Sequence, residues 1–195
     1  MSKYIVGIDE VGRGPLAGPV TVAAVAAPIS NFQFLISNEI KGIKDSKKLS
    51  PKKRDDWYKK IKKNNKFRYS VSSVSHSVID KKGIVYALRL AVKRCVSKLE
   101  ISNSDLEILL DGSLYAPPEY KQKTIIRGDE TVPIISAASI IAKVTRDRKM
   151  TQLAKKYPKY LFDIHKGYGT KLHRELLKTN GFCDIHRKSF CTRVV

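Results

Sequence analysis

The chain has 195 residues and a formal net charge of +20, from 38 Lys or Arg and 18 acidic residues. This length suits one well-cored domain. Two carboxylates occur by residue 10, which excludes the apolar core of a signal peptide there, and the longest apolar stretch, residues 19–29, is too short and interrupted for a membrane helix. We therefore expect a soluble, cytoplasmic protein that forms a single domain over residues 1–195.

The excess charge lies in two tracts. Residues 41–68 hold thirteen Lys or Arg against three acids, residues 143–195 hold fourteen against four, and the remainder is neutral. Two basic tracts in a globular chain predict a surface that follows a polyanion such as a nucleic-acid backbone. The alternative is a merely soluble, lysine-rich surface. Neither tract combines its charge with a broad apolar face, which argues against membrane lipid.

The three cysteines, Cys95, Cys183 and Cys191, are odd in number and widely spaced. This pattern favours free thiols in a reducing compartment over a disulfide framework. A zinc site built from Cys183, Cys191, His173 and His186 is an alternative, but no second closely spaced ligand pair completes a zinc pattern. We expect ordinary core and loop residues.

In chain order, the first elements are two β-prone runs, residues 4–9 and 19–27, and the turn between them predicts a hairpin. Ser50 as an N-cap and Pro51 at the first helical position then predict a short charged helix. Residues 67–75 alternate polar and apolar side chains, which predicts a third strand.

The next segment, residues 84–100, carries apolar residues at helical spacing and predicts an amphipathic helix packed on a sheet. Residues 106–111 have the continuous apolar character of a buried central strand, and this run ends in an acid followed by glycine. Residues 123–129 form a shorter β-prone run that also ends in an acid beside a glycine.

Two further helices complete the pattern. A long helix is predicted from Pro133 to the residue before Pro158, and a last helix near residues 171–179 is closed by Asn180 and Gly181. Strands that come first as a meander and then alternate with helices predict an α/β fold, in which a mixed sheet is flanked by helices.

Acidic residues follow these apolar runs. Asp9, Asp111 and Asp129 each end a β-like run, and Glu10 follows the first of them. If the strand ends converge at one sheet edge, four carboxylates share a small volume and need cations, because like charges resist joint ionisation. Oxygen ligands of this kind select Mg²⁺ or Mn²⁺. If the strand stops at Asp9, Glu10 enters the turn and both can approach the same metals. Each acid taken alone is equally well explained as a turn former or helix cap.

A glycine-rich loop follows the paired acids. Residues 12–17 formally match the G-x-G-x-x-G/A dinucleotide fingerprint, but a Val-rich strand follows where that motif needs a helix. We interpret the segment as a loop whose backbone N–H groups approach a substrate, with Arg13 available for a phosphate. A simple tight turn is the alternative. Tyr168, framed by two glycines, is either free to stack on a base or sugar or an ordinary core or turn tyrosine.

Seven motifs together resemble bacterial ribonuclease HII, in the right order and over almost the whole chain. They are GIDEVGRGPLAGPV from Gly7, DSKKLS from Asp45, DGS from Asp111, RGD ending at Asp129, ISAASIIAKVTRDRKM from Ile135, YPKYLFDIHKGYGTKLH from Tyr157 and HRKSF from His186. The resemblance implies a ribonuclease H-like fold with a helical C-terminal extension at about residues 158–195. It also implies a metal-dependent endonuclease that cuts RNA in RNA:DNA hybrids and incises DNA duplexes on the 5′ side of a single ribonucleotide.

The same resemblance implies roles for particular residues. The family's four acidic metal ligands fall on Asp9, Glu10, Asp111 and Asp129. Its loop that contacts the backbone around the ribonucleotide 2′-hydroxyl falls on Gly12, Arg13 and Gly14, and its junction-sensing tyrosine falls on Tyr168. Positions that hold phosphates match Lys47, Lys143 and Arg146.

On this interpretation the chain is a monomeric nuclease that uses two Mg²⁺ or Mn²⁺ ions bridged by Asp9 and leaves a 5′-phosphate and a 3′-hydroxyl. Val11, where most members have Ala, and the additional acid Glu130 depart from the family pattern without removing a functional group. Ribonuclease HIII shares Val11 but replaces the Gly-Arg-Gly loop. The alternatives are a ribonuclease HIII-like or other ribonuclease H-fold nuclease, and a non-catalytic basic nucleic-acid-binding protein.

Overall fold

A computed structural model describes residues 3–43 and 49–192. Within these ranges one five-stranded sheet has the order β3-β2-β1-β4-β5. The strands are β1 (Tyr4–Val11), β2 (Val20–Pro28), β3 (Arg68–Val74), β4 (Leu106–Asp111) and β5 (Lys121–Ile125). Strands β1 to β3 form an antiparallel meander, whereas β4 runs parallel to β1 and β5 parallel to β4. The mixed sheet and the predicted hairpin are confirmed.

Helices cover both faces of this sheet. They are α1 (Phe32–Asn38), α2 (Pro51–Lys63), α3 (His76–Lys82), α4 (Ile84–Ser97), α5 (Gly128–Thr131), α6 (Pro133–Lys156), α7 (Phe162–His165), α8 (Lys171–Asn180) and α9 (Lys188–Cys191). The Ser50 hydroxyl accepts the N–H of Lys53 at 3.3 Å, as its predicted capping role requires. Helix α8 ends at Gly181, whose φ is +70°. Among the described residues, no helix has the length and apolar character needed to cross a membrane.

The core lies in two layers on either side of β2. Val22, Ala24 and Ala26 pack with α4, whereas Ala23 and Val25 pack with α6 on the opposite face. A strand buried on both faces needs a continuous apolar run, which is the pattern of this segment. A third apolar cluster joins the segment after β1 to the helical C-terminal part, through Leu16, Ala17, Met150, Phe162, Leu177 and Ile185.

Two strand ends differ from the prediction. Strand β1 continues past Asp9, because Glu10 and Val11 still pair with the second strand of the hairpin. Strand β5 stops at Ile125, because Arg127 adopts a left-handed conformation with φ +54° and turns the chain into α5, which carries Asp129. The expectations that Asp9 and Asp129 end strands, and that Glu10 lies in a turn, are therefore wrong.

Strand β1 and helix α6 approach each other closely at Gly7. A Cβ at this position would lie 2.3 Å from the carbonyl oxygen of Ile134, far inside van der Waals contact. Because the obstructing atoms belong to the helix backbone, no side-chain rotation can make room for it. The absence of a side chain at Gly7 therefore sets the distance between the strand and the helix.

We expect Gly7→Ala to lower the free energy of unfolding by about 1–3 kcal/mol, the usual cost of overpacking, because the methyl group must push α6 away from β1. Urea denaturation measures this change. Gly14→Ala is the matched control, since a Cβ there meets no atom within 4 Å. Equal stability of the two variants would contradict the prediction.

Candidate active site

Three carboxylates from separate elements meet at one edge of the sheet. Asp9 of β1, Asp111 at the end of β4 and Asp129 of α5 each offer an oxygen, and these oxygens lie within 4.8 Å of one another. Strands β1 and β4 are parallel neighbours in which Ile8 is paired with Leu110, so the acids that follow lie side by side. The backbone N–H of Asp129 donates to Asp111 Oδ1 at 3.2 Å and holds the start of α5 at this edge.

Asp9 is a buried member of the cluster with a strongly raised pKa. Its side chain is buried, and burial raises its pKa well above the ordinary value, with further increases from the charges of Glu10 and, to a smaller extent, Asp111. The Ser139 hydroxyl and the Glu10 N–H, the latter at 2.7 Å from Oδ1, donate to the carboxylate and partly offset this effect. A nearby cation would relieve the remaining repulsion.

Glu10 lies at the rim of the cluster. It is not one of the three residues whose oxygens converge, but burial and then the charge of Asp111 raise its pKa, so its carboxylate is close to that of Asp111. Arg13 Nη1 lies 3.8 Å from Glu10 Oε1 and opposes that increase. The donors at this edge are carboxylate oxygens, which suit hard divalent cations such as Mg²⁺ and Mn²⁺. The residues present thus fit the predicted metal.

The glycine loop begins directly after β1. Gly12 has a φ of +88°, and a Cβ there would lie 2.2 Å from Arg146 Nε, so both conformation and space require glycine. Gly14 faces open space. The half-exposed side chain of Arg13 donates to Ser113 Oγ at 2.7 Å. Because Ser113 follows Asp111 by two residues, Arg13 connects the glycine loop to the carboxylate edge.

Tyr168 lies on a second loop that packs against the first. Leu16 donates its backbone N–H to the carbonyl of Gly167 at 2.8 Å, and a Cβ on Gly167 would lie 2.5 Å from the carbonyl oxygen of Ala17. The tyrosine itself is 37% exposed, with Lys143 Nζ 5.9 Å from its ring centroid. The glycine loop and the tyrosine loop therefore form one unit.

A chain of neutral histidines supports the tyrosine loop from the interior. His173 Nδ1 donates to the carbonyl of Tyr168 at 2.9 Å, so its Nε2 is the acceptor for His186 Nε2–H at 3.1 Å. His186 Nδ1 in turn accepts the backbone N–H of Cys183 at 2.9 Å. Burial, followed by the charge of His165, lowers the pKa of His173 to about 4, which keeps this ring neutral.

This hydrogen-bond chain contains His173, His186 and Cys183, three of the four residues of the alternative zinc site. The rings of His173 and His186 use their nitrogens on each other and on the backbone, and Cys95, Cys183 and Cys191 are free thiols. Among residues 3–43 and 49–192, the carboxylates of Asp9, Asp111 and Asp129 form the group with metal-ligand geometry. The expectation of ordinary core and loop residues fits this arrangement.

The three predicted phosphate contacts have different outcomes. Lys143 lies beside Tyr168, and its ammonium group is 3.0 Å from Asp147 Oδ1. Arg146 is fully buried, and its guanidinium donates to three backbone carbonyls, so the prediction that it contacts a phosphate is wrong for this geometry. The phosphate role was implied by the family resemblance, whereas two of its three carbonyl partners lie 127 and 129 residues away in sequence. Lys47 lies outside the described residues.

Three residues at the site were not predicted from the sequence. Ser139 donates to Asp9, Ser113 accepts from Arg13, and Arg187 donates to the glycine loop. They occur in the motifs DGS, ISAASIIAKVTRDRKM and HRKSF. The sequence around a serine or an arginine, however, does not show which distant residue it will contact. Only the packed structure brings them to the site.

Solved structures share this architecture. The ribonuclease HII in a PCNA complex from Archaeoglobus fulgidus has a TM-score of 0.70 and 29% identity, covering 90% of this chain and 87% of that chain. A ribonuclease HIII crystallised with Mn²⁺ has a TM-score of 0.71 at 19% identity, covering 92% and 63%, which shows the fold alone. Together with the carboxylate edge, these likenesses define the class as a metal-dependent hydrolase of the ribonuclease H fold.

The sequence comparisons identify one family within this fold. The family profile described as Ribonuclease HII matches residues 6–193. Ribonuclease HII of Coxiella burnetii is 46% identical over 186 residues, which cover 95% of this chain and 87% of the relative. The chain belongs to the ribonuclease HII family and is an endonuclease that acts on RNA in RNA:DNA hybrids. The resemblance to ribonuclease HII is confirmed, and membership of this family favours an enzyme over the non-catalytic alternative.

The raised pKa of Asp9 predicts a stability effect in the absence of metal. Above the folded-state pKa the buried carboxylate is ionised at a cost that the unfolded chain does not bear, whereas below the ordinary value of 3.8 it is protonated in both states. We expect Asp9→Asn to raise Tm at pH 7 with EDTA by roughly 2–4 °C, the shift that about 1 kcal/mol gives at this length, and to have no effect near pH 3.

Thermal denaturation at the two pH values tests this expectation. Asp105→Asn is the control, because Asp105 lies in the turn before β4, at the opposite end of that strand from Asp111. Mg²⁺ should raise Tm of the parent protein more than that of Asp9→Asn, because the variant lacks one ligand charge. A variant that is less stable than the parent at pH 7 in EDTA would contradict the prediction.

Proposed function

We propose that the enzyme also incises duplex DNA on the 5′ side of a single embedded ribonucleotide and leaves a 5′-phosphate and a 3′-hydroxyl. The supporting observation is the direct continuity of two functional parts: the glycine loop begins three residues after Asp9, and its Arg13 is hydrogen-bonded to Ser113 beside Asp111. A loop that recognises one ribonucleotide is thereby fixed relative to the carboxylates.

In this proposal Asp9, Asp111 and Asp129 hold two divalent cations, Mg²⁺ or Mn²⁺, and Glu10 contributes from the rim. When bound, the two ions supply an activated water and neutralise charge on the leaving 3′ oxygen. The hydrogen bonds from Ser139 and from the Glu10 N–H orient the Asp9 carboxylate, and the Asp129 N–H orients that of Asp111. The Mn²⁺ complex of a ribonuclease HIII with the same fold is consistent with such ions.

Duplex binding is assigned to the face between α2 and the segment from α6 to α7. A groove of about 730 Å³ there is lined by four basic side chains, those of Arg54, Lys143, Arg148 and Lys166, and by three aspartates. Two of these aspartates form ion pairs within the groove, Asp147 with Lys143 and Asp55 with Arg148. Both basic tracts of the sequence contribute to it. Because phosphate contacts position a duplex without reading its sequence, this face would hold either substrate. Gly12, Arg13, Gly14 and Tyr168 would then distinguish the 2′-hydroxyl.

The carboxylates, the glycine loop and the tyrosine loop come together within a single copy of the chain. We therefore propose that a monomer is active. The third apolar cluster packs the helical C-terminal part onto the loop that follows β1. We accordingly propose a single catalytic domain that includes residues 158–195.

The decisive assay uses three duplexes: all DNA, DNA with one ribonucleotide, and an RNA:DNA hybrid, each with Mg²⁺ or Mn²⁺. We expect cleavage of the second at one bond on the 5′ side of the ribonucleotide, cleavage of the third at several bonds, and none of the first. Asp9→Asn should lower kcat by roughly a thousandfold or more with duplex affinity largely kept, because it removes a metal ligand and not a backbone contact.

Asp105→Asn serves as the matched control, since it makes the same change away from the site. Cleavage of the all-DNA duplex would disprove ribonucleotide selection. Full activity of Asp129→Asn would disprove the assignment of the metal ligands.

The glycine loop gives a second test with two similar variants. Gly12→Ala should lower stability, because its φ of +88° and the contact with Arg146 both oppose a side chain. Gly14→Ala should fold normally, yet weaken binding of the ribonucleotide duplex by about tenfold, because its methyl group occupies the space through which the substrate backbone approaches. Urea denaturation and fluorescence anisotropy measure the two effects. Normal duplex binding by Gly14→Ala would show that the substrate does not approach this position closely.

A further inference from the structure

Two arginines are buried completely in the part of the chain that the structure describes. Arg146 and Arg187 are both 0% exposed, and within the described ranges neither forms a salt bridge with a carboxylate. Burial, and then the like charge of Arg146, lowers the pKa of Arg187 to about 9, so the group stays charged at neutral pH. A buried charge without an opposite charge is costly unless hydrogen bonds satisfy it.

Each guanidinium nitrogen of Arg187 donates to a carbonyl oxygen of the loop between β1 and β2. Nη2 donates to Gly12 at 2.7 Å, Nη1 to Arg13 at 3.0 Å and Nε to Gly18 at 2.9 Å. The backbone N–H of Arg187 also donates to the carbonyl of Leu16 at 2.7 Å. One residue thus fixes four carbonyls of a loop that has little regular structure of its own.

These bonds determine the direction of two other groups. The described chain has no cis peptide bonds, and in a trans peptide the C=O and N–H point in opposite directions. Because the carbonyls of Gly12 and Arg13 face Arg187, the N–H groups of Arg13 and Gly14 point away from it. Among the described residues neither N–H donates to a protein acceptor, and the space beside Gly14 is open.

We propose that Arg187 is a positioning residue for ribonucleotide selection: it holds the Arg13 and Gly14 N–H groups as a preformed pair of donors for the 2′-hydroxyl oxygen of the substrate. This inference rests on the proposed function, because it names what orients the loop assigned there. Preformed donors lose little conformational freedom on binding. A deoxyribonucleotide offers them no acceptor, so the same pair disfavours DNA through unsatisfied donors.

Arginine is required for this role because of its shape. The planar guanidinium presents five donors in a fixed arrangement, which allows one side chain to bind three carbonyls at once. Lysine keeps the charge but concentrates its donors on a single nitrogen. Arg187→Lys should therefore leave the loop near its place while its carbonyls, and hence the two N–H groups, lose their fixed direction.

The test compares duplex binding by proteins that all carry Asp9→Asn, so that the substrate stays intact. Fluorescence anisotropy gives the affinity for DNA with one ribonucleotide and for the same duplex in all DNA. We expect the parent to prefer the ribonucleotide duplex and Arg187→Lys to reduce that preference by about tenfold, with the affinity for all-DNA duplex within about twofold. Leu106→Ala, a core substitution at the opposite end of β4 from Asp111, should lower stability and leave the preference unchanged.

The outcomes separate this inference from the proposed function. Retention of the parent's preference in Arg187→Lys, even with lower stability, overturns the positioning role alone. Absence of any preference in the parent overturns the proposed function and the inference together.

A measurement on the parent protein does not depend on how the variant folds. In ¹⁵N–¹H spectra, the amide resonances of Arg13 and Gly14 should shift when the ribonucleotide duplex is added and shift much less with the all-DNA duplex. Equal shifts with both duplexes, or none with either, overturn the inference.

Discussion

The close contact between β1 and α6 is the constraint on which both the fold and the site depend. With no side chain at Gly7, the helix backbone lies directly against the strand that carries Asp9. The same helix then places Ser139 at the Asp9 carboxylate and Arg146 under the glycine loop. A wider separation would weaken the sheet, loosen the carboxylate and release the loop together. One steric requirement thus couples stability to catalytic geometry.

The site also concentrates unfavourable charge of both signs. Three carboxylates share one edge of the sheet, and two arginines are buried behind the neighbouring loop. Neither group is an efficient way to stabilise a fold, since each pays for desolvation and like-charge repulsion. Bound cations would balance the charge of the carboxylates, whereas the guanidinium groups donate to backbone carbonyls. Such local costs are common at functional sites, where activity and stability make different demands.

The parts of the fold that the sequence predicted are those with local signals. Ser50 and Pro51 define the start of α2, and Gly181 ends α8, because capping depends on adjacent residues. The extension of β1 through Glu10 depends on pairing across the hairpin, and the position of Asp129 depends on a left-handed residue that no pattern marks. The burial of Arg146 depends on carbonyls more than a hundred residues away. The four acids were identified from their places at the ends of apolar runs and again from the family motifs, while the convergence of three of them required the fold.

The bond between Arg187 and Gly12 joins residues 175 positions apart. During synthesis the hairpin of β1 and β2 leaves the ribosome first, but its connecting loop lacks its anchor until residue 187 has emerged. At about 5–20 residues per second this delay is roughly ten to thirty seconds. A nascent chain could therefore display all of its carboxylates while its glycine loop is still unordered. The order of translation postpones the anchoring of the glycine loop until the strands and helices that carry the carboxylates have been made.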